Sequence, residues 1–142
     1  MVQIYDKNPR NKQIYQKVLK TKVGYSTLKD SYAKGKEAAK HATVGMRPKL
    51  GMMYCSCNDD VEEVVNGTRS SMKGAPVIGC TSSGMIMTND GIIESEDGFA
   101  GLMAFDDRNI TIGVAAHKAG KNAREIGRKV ARAAVENAKE NY

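Results

Sequence analysis

The stretch from residue 50 to residue 80 constrains the fold of this chain more than any other part of its sequence. Residues 50–56 are apolar at both alternating sets of positions, a pattern typical of a central strand covered on both faces. Residues 59–73 repeat apolar positions at helical spacing, and residues 77–80 form a second apolar run. A strand, a helix and a strand in this order predict a parallel pair, with the helix crossing between the two strands.

Boundary residues support this interpretation of the helix. Asp59 and Glu62 have the spacing of a capping box at its start, and the acidic residues 59–63 are explained as helix-start carboxylates. Gly74 is a natural carboxyl-terminal stop, and Pro76 then opens the next strand.

The flanking segments extend the pattern. Residues 22–26 are expected to form a first strand, and Asp30 is placed to cap a helix over about 31–44. Asn89-Asp90-Gly91 between two short apolar runs predicts a hairpin, and strands are expected over 99–105 and 110–116. The predicted fold is therefore α/β, with a mixed sheet that starts as a parallel β-α-β-α-β series and ends with antiparallel strands.

The last of about three helices is expected to begin at Asn122 and Glu125. Its apolar stripe consists mainly of small residues, so the helix is predicted to lie close to a sheet. The stripe comprises Ala123, Ile126, Gly127, Val130, Ala131, Ala134, Val135 and Ala138.

Composition and charge limit the classes of protein. We expect residues 1–20 to be a basic tail or an appended helix, and residues 21–142 to be a single domain. The basic residues that give the net charge of +6 are concentrated toward the two ends of the chain. Because the lysines are not interleaved with aromatic residues, a solvated face is a better interpretation than a nucleic-acid surface. No apolar run approaches the length of a membrane span, and a cytoplasmic location is expected.

Three cysteines and two histidines are the candidates for metal or nucleophilic chemistry. Cys55, Cys57 and Cys80 are expected to be reduced thiols, because Cys55 and Cys57 are poorly spaced for a disulfide. No Cys-x-x-Cys pattern occurs, and neither His41 nor His117 is close in sequence to a cysteine. We therefore predict no metal, no catalytic residue and no enzymatic activity.

The segment from Gly79 to Gly84 is the best candidate for a binding site. It follows the carboxyl end of a parallel strand, where open α/β sheets bind ligands. Its hydroxyl groups and small residues allow a ligand to approach the backbone, although a plain turn would need the same residue types. The predicted ligand contacts are Ser26, Ser56, Cys57, Gly79, Cys80, Thr81, Ser82, Ser83 and Gly84.

Several of these segments resemble the N-terminal module of FIST proteins, over roughly residues 22–138. The most specific part is residues 77–84, Val-Ile-Gly-Cys-Thr-Ser-Ser-Gly, and the likeness continues in Gly98-Phe99-Ala100 and in residues 110–115. The resemblance implies a sensory domain of intracellular signal transduction that binds a small ligand, for which an amino acid is a candidate. A branch of the family binds haem, so a haem-binding nitric-oxide sensor using His41 or His117 is one alternative.

A structural or assembly subunit without a ligand is the other alternative. FIST proteins normally pair this module with a C-terminal module, and here the chain ends at Tyr142. The expected partners are therefore a small polar metabolite, a second copy in a dimer, and a C-terminal module or signalling protein. Self-association is also expected because exposed sheet edges must be paired or covered.

Overall fold

The computed structural model describes residues 19–140. Residues 1–18, on which the predicted tail or appended helix falls, and residues 141–142 lie outside that range. The elements in chain order are β1 (Lys20–Ser26), α1 (Ser31–Thr43), β2 (Leu50–Ser56), α2 (Val61–Ser71), β3 (Val77–Ser82), β4 (Ile86–Thr88), β5 (Gly91–Ile93), β6 (Ala100–Asp106) and α3 (Ala123–Glu140).

The main sheet has four strands in the order β1-β6-β2-β3. β2 and β3 pair in parallel, and α2 connects them, so the predicted strand-helix-strand unit is confirmed. β6 lies between β1 and β2 and is antiparallel to both. β1, β2 and β3 run in the same direction, as the predicted parallel start of the sheet requires, and β6 is inserted between β1 and β2. The sheet is mixed, as predicted.

The core lies on one face of this sheet, beneath α1 and α2. Met53 and Cys55 of β2 and Leu102 of β6 are buried there. They belong to one cluster with Ala38, Ala39 and Ala42 of α1, with Val64 of α2 and with Met72 directly after that helix. The prediction that β2 is covered by helices on both faces is wrong for the described residues. Met52, Tyr54 and Met103 lie on the opposite face, where Tyr54 and Met103 are each 40% exposed.

The two helices of this layer cross with their backbones in close approach. A Cβ atom added to Gly35 would lie 2.1 Å from the carbonyl oxygen of Val64, and one added to Gly67 would lie 2.0 Å from that of Tyr32. The Thr68 hydroxyl donates across the crossing to the carbonyl oxygen of Gly35 at 3.3 Å. The two glycines therefore bring α1 and α2 close enough to form one layer on the sheet.

The start of α2 differs from the prediction by one residue. Asp60, rather than Asp59, is the N-cap, and its side chain accepts a hydrogen bond from the backbone N–H of Glu63. Two consecutive aspartates are equivalent as caps in sequence, and a separate role for Asp59, described below, decides between them. Asp30 caps α1 as predicted, accepting from the N–H of Ala33 at 2.7 Å.

The hairpin predicted at Asn89-Asp90-Gly91 is confirmed, with β4 and β5 forming a separate antiparallel pair. The hairpin leans over the face of the sheet opposite the helices. There the side chain of Ile86 lies against Gly101, whose added Cβ would be 2.5 Å from the Ile86 Cδ1 atom.

The strand predicted over 110–116 does not form in the described structure. The segment alternates as a strand does in sequence, but it has no strand partner, and none of its residues is buried. It instead supports α3: an added Cβ on Gly113 would lie 1.8 Å from the carbonyl oxygen of Ala134, and the Asn137 amide donates to the carbonyl oxygen of Val114. Asn122 does cap α3 as predicted.

The prediction that α3 lies close to the sheet is also wrong. Within residues 19–140, α3 packs extensively against neither the strands nor the other two helices. No helix in this range is long and apolar enough to cross a membrane.

Candidate functional site

The carboxyl ends of β1, β2 and β3 meet at one edge of the sheet. Ser26 is the last residue of β1 and pairs with Ala100, which also pairs with Cys55 near the end of β2. Ser56 pairs with Ser82 at the ends of β2 and β3. The ends of the three strands therefore converge at this edge, with the first residue of β6 between two of them.

The segment from Gly79 to Gly84 begins within β3, which pairs with β2 as far as Ser82, and two further hydrogen bonds involve Ser82. The backbone N–H of Cys57 donates to the carbonyl oxygen of Ser82 at 3.1 Å. The Ser82 hydroxyl in turn donates to the carbonyl oxygen of Met85 at 2.9 Å. Cys80, Thr81 and the remaining residues of the loop, Ser83 and Gly84, are exposed to solvent. Polar groups at the end of β3 are therefore accessible to a ligand.

The predicted contacts divide between the two faces of the sheet. Cys80 and Ser82 share the face of Ser56, opposite the helices, because paired residues of parallel strands point to the same side. The Ser26 side chain points to the helical side, where its hydroxyl donates to the Glu37 carboxylate at 2.5 Å.

Gly79 has a structural reason to be glycine. A Cβ atom there would lie 1.8 Å from the carbonyl oxygen of Met53, so a side chain is excluded by the adjacent strand. Gly84, in contrast, has open space around its added Cβ position. The two glycines that bound the loop are therefore not equivalent: only Gly79 is required by close contact.

A buried ion pair that no local sequence pattern predicts lies beside this edge. The Lys34 ammonium group contacts the Asp59 carboxylate, and the two side chains are 0% and 4% exposed. Lys34 also donates to the carbonyl oxygen of Asp97. The ion pair therefore places fixed charge beside strand ends whose own side chains are uncharged, and the interpretation of Asp59 as a helix-start carboxylate is wrong.

The bonds around Asp59 leave one oxygen unused. Oδ1 contacts Lys34 and accepts weakly from the Ser31 hydroxyl at 3.5 Å, whereas Oδ2 is buried without a hydrogen-bond partner among the described residues. Gly98 covers the carboxylate with φ of +79°, and a Cβ there would be 2.7 Å from Oδ2. A buried carboxylate oxygen without a donor is unfavourable, which marks this position as one that a further group could satisfy.

One sequence signal could have revealed the buried position of Lys34. Lys34 stands four residues before Ala38 and eight before Ala42, on the buried stripe of α1. A lysine in such a stripe must either extend to solvent or find a buried anion.

The three cysteines are near one another but lie on different sides of the sheet. Cys55 is buried in the core, whereas Cys57 and Cys80 are exposed. Burial raises the pKa of the Cys55 thiol, and the negative charge of Asp59 raises it further. Cys55 is therefore a neutral core residue at ordinary pH, not an activated nucleophile.

Within residues 19–140, no three histidine, cysteine or carboxylate side chains are grouped as metal ligands would be. His41 lies on the exposed side of α1, and His117 lies in the segment before α3, where its Nδ1 is 2.8 Å from the carbonyl oxygen of Lys118.

Two surface cavities lie at the other end of β3. The larger, of about 680 Å³, is bounded by α2 residues including Arg69 and Ser70, by Gly74 to Val77, and by Val114. The smaller, of about 150 Å³, lies between Pro48, Pro76 and Ile112. Neither is lined by a predicted ligand contact, so the larger cavity is a competing location for a ligand.

Comparison with known proteins places the chain in a family. The FIST N domain profile matches residues 49–141, more than half of the chain. No curated protein matches. Among solved structures, the chain is similar to the GDP-form protofilaments of TubZ from Bacillus thuringiensis serovar israelensis, with 11% identity and a TM-score of 0.36. That similarity covers 86% of this chain but only 30% of the TubZ chain, and at this TM-score it carries no argument. The profile match shows that the chain belongs to the FIST N domain family, a family of signal-transduction sensory domains.

Proposed function

We propose that this chain senses a small polar metabolite, with an amino acid as the best candidate, bound at the carboxyl edge of its sheet. The observation that carries the proposal is the pairing of Ser56 with Ser82 at the ends of two adjacent parallel strands. An exposed loop of small and hydroxyl-bearing residues follows directly from Ser82. Crevices beyond the carboxyl ends of parallel strands are the usual ligand sites of open α/β sheets.

The charges beside this edge favour a zwitterion over a neutral ligand. Asp59 has a carboxylate oxygen that no described residue satisfies, and the ammonium group of an amino acid is a suitable donor for it. Lys34 supplies the matching positive charge for a carboxylate. Both side chains are buried, so this mode of binding requires the Asp97–Gly98 turn to move aside. The proposal involves no catalysed reaction and needs no cofactor.

Thermal melting in the presence of each of the twenty amino acids tests the proposal. A ligand at one hundred times its Kd adds about 2.7 kcal/mol to the free energy of unfolding. For a domain of this size that raises Tm by about 6–10 °C. A panel in which no amino acid raises Tm would contradict the proposed ligand class.

A pair of matched variants locates the site. Ser82→Phe fills the edge between β2 and β3, and Ser70→Phe fills the larger cavity next to α2. We expect the active amino acid to lose its stabilising effect on Ser82→Phe and to keep it on Ser70→Phe. The reverse result would move the site to the cavity and refute the placement at the strand ends.

A further inference from the structure

The face of the sheet opposite α1 and α2 is largely uncovered in the described structure. We call it the open face; it is formed by Val23, Tyr25, Met52, Tyr54, Ile78, Cys80, Met103 and Phe105. None of these side chains is buried, and Ile78, the second residue of the edge strand β3, is 38% exposed. A contiguous apolar surface of this kind marks an interaction site more often than a free surface.

The open face has an acidic border. The β4–β5 hairpin and the loop after it carry Asp90, Glu94, Glu96 and Asp97, all exposed. From residue 74 to residue 107 the sequence contains no lysine or arginine. Since Ile86 lies against Gly101 on the open face, this acidic segment stands directly beside it.

The described part of the chain contains one element with complementary features, the amphipathic helix α3. Ala123, Gly127, Ala131 and Val135 form an exposed apolar row at four-residue spacing, and Val135 is 56% exposed. Three arginines occupy the positions directly after the first three members of that row, and so run beside it along the helix: Arg124, Arg128 and Arg132. α3 therefore has an apolar row with positive charge beside it, whereas the open face has apolar side chains with negative charge beside them.

The position of α3 separates it from the open face of its own chain. The backbone carbonyl oxygen of Val114 accepts a hydrogen bond from the Asn137 side chain of α3. Val114 also lines the larger cavity, opposite the residues of α2. α3 is thus attached beside the helical layer, whereas the open face lies on the opposite side of the sheet. A second copy can present its open face to α3 without either element leaving its place.

We infer that this chain forms a symmetric dimer in which α3 of each copy packs on the open face of the other. The small residues of α3 allow the large side chains of the sheet, such as Tyr54 and Met103, to fit against the helix. At about 1.5 Å per residue α3 is about 27 Å long, which matches the length of the seven-residue strands that it would cover. The arginine row then meets the acidic border, and the symmetry makes both contacts identical.

The area is sufficient for a stable pair. A helix about 27 Å long and 10 Å wide covers roughly 270 Å² of projected surface on each side of one contact. Two contacts bury four such surfaces, at least about 1,100 Å² in total, which is close to the lower limit of specific protein interfaces. One contact alone buries about half of that area and would hold two copies only weakly, so a stable dimer needs both.

Sedimentation analysis of the full chain and four variants tests the inference. The wild-type protein is expected to sediment at about 31 kDa, twice the 15.4 kDa of one chain, at micromolar concentration. Tyr54→Glu on the open face and Ala131→Glu on α3 should each weaken dimerisation more than tenfold. Val61→Glu is the matched control, because Val61 is as exposed as Tyr54 but starts α2, and should leave the dimer intact. Circular dichroism establishes that each variant is folded.

Mixing the two monomeric variants distinguishes this arrangement from other dimers. The Tyr54→Glu copy keeps a normal α3 and the Ala131→Glu copy keeps a normal open face, so their mixture retains one of the two contacts. We expect a weak heterodimer in the mixture and none in either variant alone. A charge reversal, Arg128→Glu, should weaken the wild-type dimer and make it less sensitive to salt.

Three results would overturn the inference. A wild-type monomer at high concentration would mean that something other than a second copy covers the open face. A dimer unaffected by Ala131→Glu would point to direct contact between two open faces. A dimer unaffected by Tyr54→Glu would place the interface elsewhere.

Discussion

Replacing Lys34 by methionine should destabilise the protein far more than the loss of an ordinary salt bridge. Methionine is close in length and shape to the apolar stem of lysine, so the packing of α1 changes little. The Asp59 carboxylate, however, would lose its cation in a place where its side chain is 4% exposed. Oδ2 already has no partner among the described residues, and after the substitution Oδ1 would keep only the weak bond from Ser31.

The expected size of the effect follows from that burial. Removing one partner of a buried ion pair destabilises a protein by about 3–5 kcal/mol, because a charge remains without compensation. The lost hydrogen bond from Lys34 to the Asp97 carbonyl oxygen acts in the same direction. With a urea m-value of about 2 kcal/mol per molar, the unfolding midpoint should fall by about 1.5–2.5 M.

Urea unfolding followed by circular dichroism measures this difference, and the chain offers a matched control. Glu125 and Lys129 of α3 form an ion pair at 2.8 Å with side chains more than half exposed. Lys129→Met removes a lysine in the same way but leaves a solvated carboxylate, so it should cost less than about 0.5 kcal/mol.

A double variant separates the charge from the packing. In Lys34→Met with Asp59→Leu the uncompensated charge is gone, and most of the stability lost in Lys34→Met should return. The reasoning would be refuted if Lys34→Met were no more destabilising than Lys129→Met. It would also be refuted if the double variant were less stable than either single one.

Two further predictions concern the same region. Gly98→Ala should lower the free energy of unfolding in urea by about 2–4 kcal/mol, because φ is +79° and the new Cβ meets Asp59. Gly74→Ala, with φ of +86° and open space around the new Cβ, should lower it by only about 1–2 kcal/mol. Equal losses in the two variants would exclude the contact with Asp59 as a cause. Cys55 should resist alkylation in the folded protein, while the two exposed cysteines react. Its thiol is neutral in both states well below pH 9.0, but as the pH rises through 9.0 the unfolded thiol ionises first, because the folded pKa is raised. Stability should therefore fall as pH rises above 9.0, and by less in Cys55→Val; an equal fall in both proteins would contradict the raised pKa.

Local signals were sufficient where each element is specified by neighbours in sequence. The β2-α2-β3 unit and the β4–β5 hairpin follow from periodicity, caps and the Asn89-Asp90-Gly91 turn, all within short segments. The position of β6 between β1 and β2 is different. It depends on pairing residues such as Ser26 and Ala100, which are far apart in sequence, and no local pattern encodes that choice.

The incorrect predictions share this physical origin. Residues 110–116 alternate as a strand does, but a strand exists only with a partner, and alternation does not supply one. Asp59 and Asp60 are equivalent as caps in sequence, and the ion pair between Asp59 and Lys34 of α1 leaves Asp60 as the cap. At the candidate site, the convergence of strand ends follows from strand direction alone, whereas the charges beside it come from contacts between separate elements.

The β4–β5 hairpin physically joins the two surfaces on which our proposals rest. On one side it continues from the loop after β3, where the Ser82 hydroxyl donates a hydrogen bond to the carbonyl oxygen of Met85. On the other side Ile86 lies against Gly101 on the open face. Two three-residue strands have little stability of their own, so these attachments set where the hairpin lies. If both proposals hold, a ligand that draws Ser82 away from Met85 changes how much of the open face the hairpin covers. Ligand binding and dimerisation would then be coupled, and by reciprocity the dimer and the monomer would differ in ligand affinity.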